Sequence, residues 1–189
     1  FISLLYADDY YLPTKIERQI AAFATLTADY GVVYSPGYRV DDRTGARWLD
    51  RTLTRSGDVL ESMFSEHDAE GFINPISPLM RRECFERCPF HEDVFAEGET
   101  IFLRFALYFK FFYFDEPLSV MREHDFNVGK AIKVNIAISL QLLDKLAKEP
   151  GFPARLQATL TRFRGDRLGV FGWLALRMAA DPQWARECF

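Results

Sequence analysis

The opening stretch Phe1-Ile-Ser-Leu-Leu-Tyr-Ala-Asp-Asp-Tyr-Tyr-Leu-Pro13 decides how the fold of this chain is interpreted. Its apolar run at residues 1–6 predicts a buried strand, and two adjacent acids, Asp8 and Asp9, follow that strand. Ligands usually bind at the carboxyl ends of the strands of an α/β sheet. Mg²⁺ is typically held by one or two carboxylates together with the phosphates of a substrate. The stretch therefore indicates either a metal site for a diphosphate or a solvated turn with an acidic helix start.

A helix and a second strand are predicted directly after this stretch. Pro13 suits the first turn of a helix, because its missing N–H would have no partner there. Lys15 and Gln19 are assigned to the polar face of the helix. The apolar face is expected to carry the side chains that recur at helical spacing, namely Ile16, Ile20, Phe23 and Thr27. Residues 32–35 predict a second strand, so the two strands should form a parallel pair with a right-handed crossover.

The composition restricts the classes of function. The chain has 189 residues, a length that fits one domain or one domain with a helical extension. A net charge of −4 gives no general attraction to nucleic acid or anionic lipid. The three cysteines lack a second metal-type pair, which argues against a zinc site. Their sparse, odd number fits a reducing compartment and predicts a cytoplasmic location, either free or associated with a membrane.

The acidic stretch resembles a motif of a known family. Leu5-Tyr-Ala-Asp8-Asp9-Tyr-Tyr-Leu-Pro13, followed by Lys15-Ile-Glu-Arg-Gln19, is similar to the metal-binding motif of family 2 glycosyltransferases of the GT-A fold. Tyr6 departs from the pattern, because many members have an acid there. The resemblance implies that Asp8 and Asp9 hold Mg²⁺ or Mn²⁺ on the diphosphate of a nucleotide-sugar donor. It also implies an upstream segment, before Phe1, that carries the first strands and the pocket for the base.

A second match lies farther along the chain. Phe114-Asp-Glu-Pro-Leu-Ser-Val-Met-Arg-Glu-His-Asp-Phe-Asn127 resembles the end of the same catalytic domain. The resemblance implies that Arg122 and His124 bind the donor near its diphosphate. An arginine or a protonated histidine offsets charge on a leaving phosphate, and a neutral histidine ligates transition metals. The alternative for His124 is a solvent-exposed histidine at a helix boundary.

A glycine stands at the position that corresponds to the general base of the family. In the family, a Glu-Asp pair opens a helix several residues before an arginine, and the Asp is the base. Counting back from Arg104 places Glu97 on the family's Glu and Gly98 on its Asp, with Glu99 as the next acid. The resemblance therefore implies Glu97 or Glu99 as the catalytic base. Alternatively, acids in the first turn stabilise the helix dipole by about 0.3–1 kcal/mol.

The rest of residues 1–130 completes the predicted catalytic domain. Residues 36–54 predict a long polar connection with a turn at residues 41–45, either placed over the active site or a disordered surface loop. The segment Ile76-Ser-Pro-Leu-Met-Arg-Arg-Glu-Cys-Phe-Glu-Arg87 also resembles the family. The other predicted elements are strands over residues 71–77, 108–114 and 119–122 and a helix over residues 78–88.

Residues 131–189 form a predicted helical extension. Ala131 to Lys148 is expected to be an amphipathic helix, with apolar side chains at helical spacing. Further helices are predicted after Pro153, with a break near Gly165, and after Asp181. These helices are expected to pack on the catalytic half, to mediate self-association or to rest on a membrane surface.

The sequence therefore predicts an α/β protein, a partial GT-A fold with a mixed sheet, flanking helices and the helical extension. The resemblance implies a metal-dependent, inverting transfer of a sugar from a nucleotide-diphospho-sugar to a hydroxyl of a glycan or lipid-linked acceptor. Two alternatives remain open: a non-catalytic binding module of the same fold, and a nucleotidyltransferase, which also uses acids at a sheet edge and a metal. The Arg122-x-His124 ending argues against the nucleotidyltransferase.

Overall fold

The computed structural model describes residues 1–66, 71–94, 97, 100–125, 127, 132–177 and 181–188. The chain divides into two compact units, Phe1–Ala131 and Ile132–Phe189. The first unit is mixed α/β. Its described strands are β1 (Tyr10–Tyr11), β2 (Tyr30–Tyr34), β3 (Tyr38–Asp41), β4 (Arg47–Leu49), β5 (Leu79–Met80), β6 (Lys110–Tyr113) and β7 (Ser119–Glu123). Its described helices are α1 (Lys15–Phe23), α2 (Leu60–Ser65), α3 (Arg82–Arg87) and α4 (Ile101–Phe105).

The strands form two mixed sheets. One has the order β5-β2-β6, in which β2 runs antiparallel to β5 and parallel to β6. The other has the order β1-β7-β3-β4, in which β7 and β3 are parallel and the outer strands are antiparallel to their neighbours. Strand β2 is central in the first sheet, and Val32, Val33 and Tyr34 are fully buried. The predicted α/β class is therefore confirmed, and strands β2, β6 and β7 lie where the sequence predicts them.

The predicted buried strand over residues 1–6 is wrong. Only Ile2 takes part in strand pairing, through an isolated antiparallel bridge to Met80, and Phe1, Leu5 and Tyr6 are exposed. The predicted parallel pairing with β2 is also absent from the described residues, because β5 lies between the two segments and pairs with both. The first residues of the chain nevertheless run in the same direction as β2, because both segments are antiparallel to β5.

Helix α1 forms as predicted, and Phe23 is buried as predicted, but the first two turns of the helix bury polar side chains instead of the predicted apolar ones. Lys15 and Gln19 are fully buried, whereas Ile16 and Ile20 are 40% and 44% exposed. The Lys15 ammonium donates to Ser3 Oγ at 3.0 Å and to Gln19 Oε1 at 2.8 Å. Gln19 in turn donates to the backbone carbonyls of Val33 and Ser77. Both side chains can be buried because their polar atoms have hydrogen-bond partners, which are side-chain oxygens for Lys15 and backbone carbonyls for Gln19.

Two other sequence predictions fail for local reasons. Residues 36–54 contain the β3–β4 hairpin instead of a polar connection, although the turn is where it was predicted. In that turn, Asp41 Oδ1 accepts the backbone N–H groups of Arg43 and Thr44. Residues 71–77 do not form a strand. Asn74 Oδ1 accepts the N–H of Ile76 at 3.1 Å instead, which bends the backbone into a turn around Pro75.

The second unit is helical within its described residues. It contains α5 (Ile132–Leu146), a 3-10 turn (Ala154–Leu156), α6 (Gln157–Arg177) and α7 (Pro182–Cys188). Helix α6 continues through Gly165, where the sequence predicted a break. Its core is built around Ile136, Phe171 and Cys188. Among the described helices, we find none with the length and apolar character needed to cross a membrane.

Burial of Lys15 generates a prediction about pH. Burial lowers the pKa of Lys15 from 10.5 to about 7. Between these values the unfolded chain binds more protons than the folded chain, so the free energy of unfolding rises with pH. Lys15→Met should remove this rise, which amounts to at most about 5 kcal/mol. Urea unfolding at pH 6 to 10 measures it. Lys110→Met, at a surface lysine bound to Asp29, is the control and should keep the rise. Parallel pH profiles for the Lys15→Met and unchanged proteins would contradict the prediction.

Candidate functional site

The two acids lie next to strand β7. Asp8 and Asp9 directly precede β1, and β1 pairs antiparallel with β7 through Tyr10 and Val120. The N–H of Asp9 donates to the carbonyl of Tyr6 and closes a turn. The acids therefore lie at the start of a short strand, not at the end of a buried one as predicted. Even so, the turn brings them to the carboxyl-terminal half of β7.

Asp8 contacts His124, one of the predicted donor-binding residues. Asp8 Oδ2 and His124 Nε2 are 2.6 Å apart, although 116 positions separate the two residues. The hydrogen bond with His124 lowers the pKa of Asp8, against a smaller opposing effect of burial. The side chains remain 36% and 24% exposed. The pair therefore presents an ionised carboxylate and an imidazole to solvent.

Asp9 has a different environment from its neighbour. It is 9% exposed, and its Oδ1 accepts the backbone N–H of Arg122 at 2.9 Å. Burial raises the pKa of Asp9, and the hydrogen bond from Arg122 partly offsets that effect. Asp9 thus attaches the acidic turn to β7, while Asp8 is the more accessible acid.

The end of β7 is fixed by two further contacts. Asn127 donates through Nδ2 to the carbonyl of Arg122, and its Oδ1 accepts the N–H of His124 at 2.6 Å. The guanidinium of Arg122 donates to both carboxylate oxygens of Asp42, at 2.9 and 2.6 Å. This contact raises the pKa of Arg122. The predicted donor-binding residues therefore lie beside the acids, with the guanidinium of Arg122 bound to Asp42.

The sequence did not predict a cluster of charged side chains close to Asp9. Arg39 donates through Nε to Asp50 at 2.8 Å and also contacts Glu123. Asp42 was predicted only as a turn residue. The alternation of Tyr38 and Val40 with Arg39 and Asp41 could have indicated strand β3. The partners of these side chains depend on the parallel register of β3 and β7, which the sequence does not specify.

Glu97 lies in a buried ion pair. Its side chain is 1% exposed. One carboxylate oxygen accepts from Arg104 Nη1 at 3.1 Å, and the other accepts the N–H of His91 at 2.8 Å. Arg104 also donates to the carbonyl of Pro89. In this arrangement Glu97 connects α4 to the preceding loop. Glu99, the other predicted base, lies outside the described residues, as does Gly98.

The site offers few protein ligands for a metal. In the described part of the chain, no three His, Cys, Asp or Glu side chains are grouped so that they could hold an ion. Asp8 and His124 nevertheless supply an oxygen and a nitrogen donor within 2.6 Å of each other. Carboxylate and imidazole both suit divalent metals. A cation bound here would need further ligands, such as the phosphates of a substrate.

Comparison with known proteins does not assign a family to the chain. No protein-family model matches it, and no curated protein matches its sequence. The fold defines a mixed α/β protein with two mixed sheets and flanking helices. Its candidate site combines an exposed Asp–His pair with a buried acid at the edge of one sheet.

The Asp8–His124 contact predicts a measurable change in acidity. In His124→Ala, the pKa of Asp8 should rise, because its largest stabilising partner is lost. Carbon-13 NMR of the carboxyl groups measures the titration. Asp41 is an internal control: its pKa is lowered by the N–H of Thr44 and should not move. An unchanged Asp8 titration would show that the contact does not form in solution.

The Glu97–Arg104 pair predicts a large loss of stability. Arg104→Met leaves a buried carboxylate without its cation, which typically costs about 3–5 kcal/mol. Chemical denaturation followed by circular dichroism measures the loss. The matched control is Arg18→Met, because Arg18 forms an exposed ion pair with Glu116. The control should change the free energy of unfolding by no more than about 0.5 kcal/mol. Equal losses in both variants would contradict the buried pair.

Proposed function

We propose that residues 1–130 of this chain are part of the catalytic domain of a metal-dependent glycosyltransferase of the GT-A fold, which uses a nucleotide-diphospho-sugar as donor. The observation that carries the proposal is the contact of Asp8 with His124 at 2.6 Å. It joins the two stretches of sequence that resemble this enzyme family. The hydrogen bond from the N–H of Arg122 to Asp9 joins the same stretches a second time. The two stretches therefore lie side by side, as they must if both are to contact the diphosphate of one donor.

Each residue of the site has a distinct role in this proposal. Asp8 would hold the cation, because its carboxylate is accessible and suits Mg²⁺ or Mn²⁺. The neutral imidazole of His124 would add a nitrogen ligand where the cation is Mn²⁺, a transition metal. When bound, such a cation would neutralise the charge that develops on the leaving diphosphate. Asp9 keeps the turn against β7, so that the carboxylate of Asp8 faces the imidazole. Arg122 adds a positive charge beside the acids and is oriented by Asp42.

The proposed base is Glu99. A general base must come within hydrogen-bond reach of the acceptor hydroxyl. Glu97 is nearly fully buried, and both of its oxygens have partners, so its carboxylate is committed to holding Arg104. Glu99 is the remaining acid of the two that the resemblance implies. Removal of the proton by Glu99 and a single displacement from the opposite face would invert the configuration of the sugar.

A binding module without transfer activity is the second candidate. The burial of Glu97 specifically favours it, because one of the two acids expected to act as base is held in an ion pair. Gly98 stands where the family has its catalytic Asp. Such a module would still bind a metal and a nucleotide at Asp8 and His124, but it would neither transfer nor hydrolyse the sugar.

The test combines binding and chemistry on this chain. Its thermal unfolding is measured with Mn²⁺ and UDP, GDP or dTDP, and hydrolysis of the matching nucleotide-sugars is followed by release of the nucleotide. A ligand at a hundredfold excess over its dissociation constant should stabilise the protein by about 2.7 kcal/mol. Asp8→Asn and His124→Ala should each weaken binding by about tenfold or more. Asp115→Asn, an exposed acid bonded to Tyr113, is the matched control and should bind normally.

The outcomes separate the two candidates. Metal-dependent stabilisation by one nucleotide, with hydrolysis that is lost in Glu99→Gln, supports the glycosyltransferase. Stabilisation without hydrolysis, unchanged in Glu99→Gln, supports the binding module. If neither a nucleotide nor inorganic pyrophosphate, which needs no pocket for a base, stabilises the protein in the presence of Mn²⁺, neither candidate stands.

A further inference from the structure

Helix α6 buries one side and exposes the other. The buried side carries Leu160, Phe163, Phe171 and Ala175. On the other side Val170, Trp173 and Leu176 are 45%, 53% and 48% exposed. Side chains three and four positions apart share one face of a helix, so these three form a continuous apolar stripe. Contiguous apolar surface, unlike a single exposed side chain, marks sites of interaction.

Two glycines leave a gap in the same face of the helix. Gly165 and Gly169 lie inside α6, two turns and one turn before Trp173. Apart from the backbone of the helix itself, no described atom lies within 4 Å of a Cβ placed on either residue. Glycine in a helix interior lowers stability relative to alanine, and packing within the described part of the chain does not account for these two. The exposed face therefore combines a bulky side chain with an adjacent open strip.

The exposed face carries opposite charges along one edge. Asp166 and Arg177 lie on the same edge as Val170, one turn before it and two turns after it. The ion pair of Asp166 with Arg162 is fully on the surface, at 3.9 Å, where such a pair contributes little. The guanidinium of Arg177 lies 5.5 Å from the centre of the Trp173 ring. A surface that fits both charges must present a positive and a negative group in the reverse order.

A second copy of α6, running in the antiparallel direction, presents this reverse order. A two-fold axis makes the same edge of each helix meet the equivalent edge of the other. With Trp173 placed against Gly169 of the second copy, Arg177 comes next to Asp166 of that copy. A parallel pair would place the charged edge of one copy beside the glycine edge of the other. The charges therefore favour the antiparallel pair.

The apolar contacts agree with the same register. On the other edge of the face, Leu176 comes next to Gly165 of the second copy, so both large side chains meet an open strip. Each contact occurs twice, because the interface is related by two-fold symmetry. Tryptophan and arginine are also the residues that most often dominate the affinity of an interface. The face is thus complementary to itself in shape and in charge.

The size of the face predicts a weak dimer. A stable interface buries about 800 Å² on each partner. Three half-exposed side chains with two charged neighbours cover less than this. We therefore expect a dissociation constant on the order of 10 µM.

We propose that this chain forms a two-fold symmetric dimer through α6, in which Trp173 of each copy fills the gap at Gly169 of the other and Arg177 pairs with Asp166 of the other. The proposal does not depend on the proposed function, because all of its residues belong to the second unit.

The first test is sedimentation velocity of the chain from about 1 to about 500 µM, a range on both sides of the expected dissociation constant. The mass should rise from that of the 21.9 kDa monomer towards that of a dimer. Trp173→Ala should weaken the dimer by about tenfold or more, because tryptophans at the centre of an interface have the largest effects. A chain that stays monomeric at the highest concentration would overturn the proposal, even if the chain sediments with anionic lipid vesicles.

Gly169→Leu separates loss of the dimer from loss of the fold. Leucine fills the gap, so the dimer should weaken by about tenfold or more. Leucine is also a better helix former than glycine, so thermal unfolding of the monomer should not occur at a lower temperature. Trp48→Ala removes an exposed ring of the first unit and is the control, which should dimerise normally. A dimer that neither Gly169→Leu nor Trp173→Ala weakens must use another surface, and the proposal then fails.

Reversal of the charges tests the direction of the helices. Asp166→Arg should weaken the dimer by about fivefold, because two exposed ion pairs become repulsive. Addition of Arg177→Asp to the same chain restores opposite charges across the antiparallel pair, and most of the lost affinity should return. If the double variant dimerises more weakly than Asp166→Arg alone, the antiparallel pairing is wrong.

Discussion

The buried carboxylate of Asp9 constrains the arrangement of the whole site. A carboxylate removed from water must be hydrogen-bonded or close to a positive charge, because desolvation otherwise favours its neutral form. Asp9 meets this requirement with the N–H of Arg122 and with the nearby charge of Arg39. The bond can form only if β1 lies beside β7. That placement in turn brings Asp8 to His124.

The sequence predicted those parts of the fold whose burial follows the hydrophobic pattern. Strand β2 is apolar and central, and it was placed correctly. Helix α1 was also located, but the burial of Lys15 and Gln19 was missed, because it depends on specific hydrogen bonds. Periodicity measures apolar side chains and cannot detect such bonds. The prediction of a strand over residues 1–6 was wrong for a related reason, because an apolar run does not show whether the backbone groups have hydrogen-bond partners.

The candidate site was predictable only through resemblance, and only in part. Asp8 and His124 were both named, but their contact across the sequence could be seen only once the strands were paired. Asp42 and Arg39 were missed, because their roles follow from the register between β3 and β7. For Glu97, the spacing to Arg104 implied the role of catalytic base. Its burial in an ion pair with Arg104 could be seen only in the folded structure.

The polar side chains of the first unit fall into two groups: buried ones that hold the structure together and exposed ones that a ligand could reach. Asp9, Glu97 and the ammonium of Lys15 are buried and hold backbone segments together, which restricts their access to a ligand. Asp8 and His124 remain partly exposed, so they can exchange their mutual contact for a ligand. Arg39 belongs to the supporting group, because its ion pairs with Asp50 and Glu123 connect β3 to β7 and its charge lies near Asp9. A substitution of Arg39 would therefore disturb the acidic turn although Arg39 itself does not contact Asp8 or His124 through any bond described above.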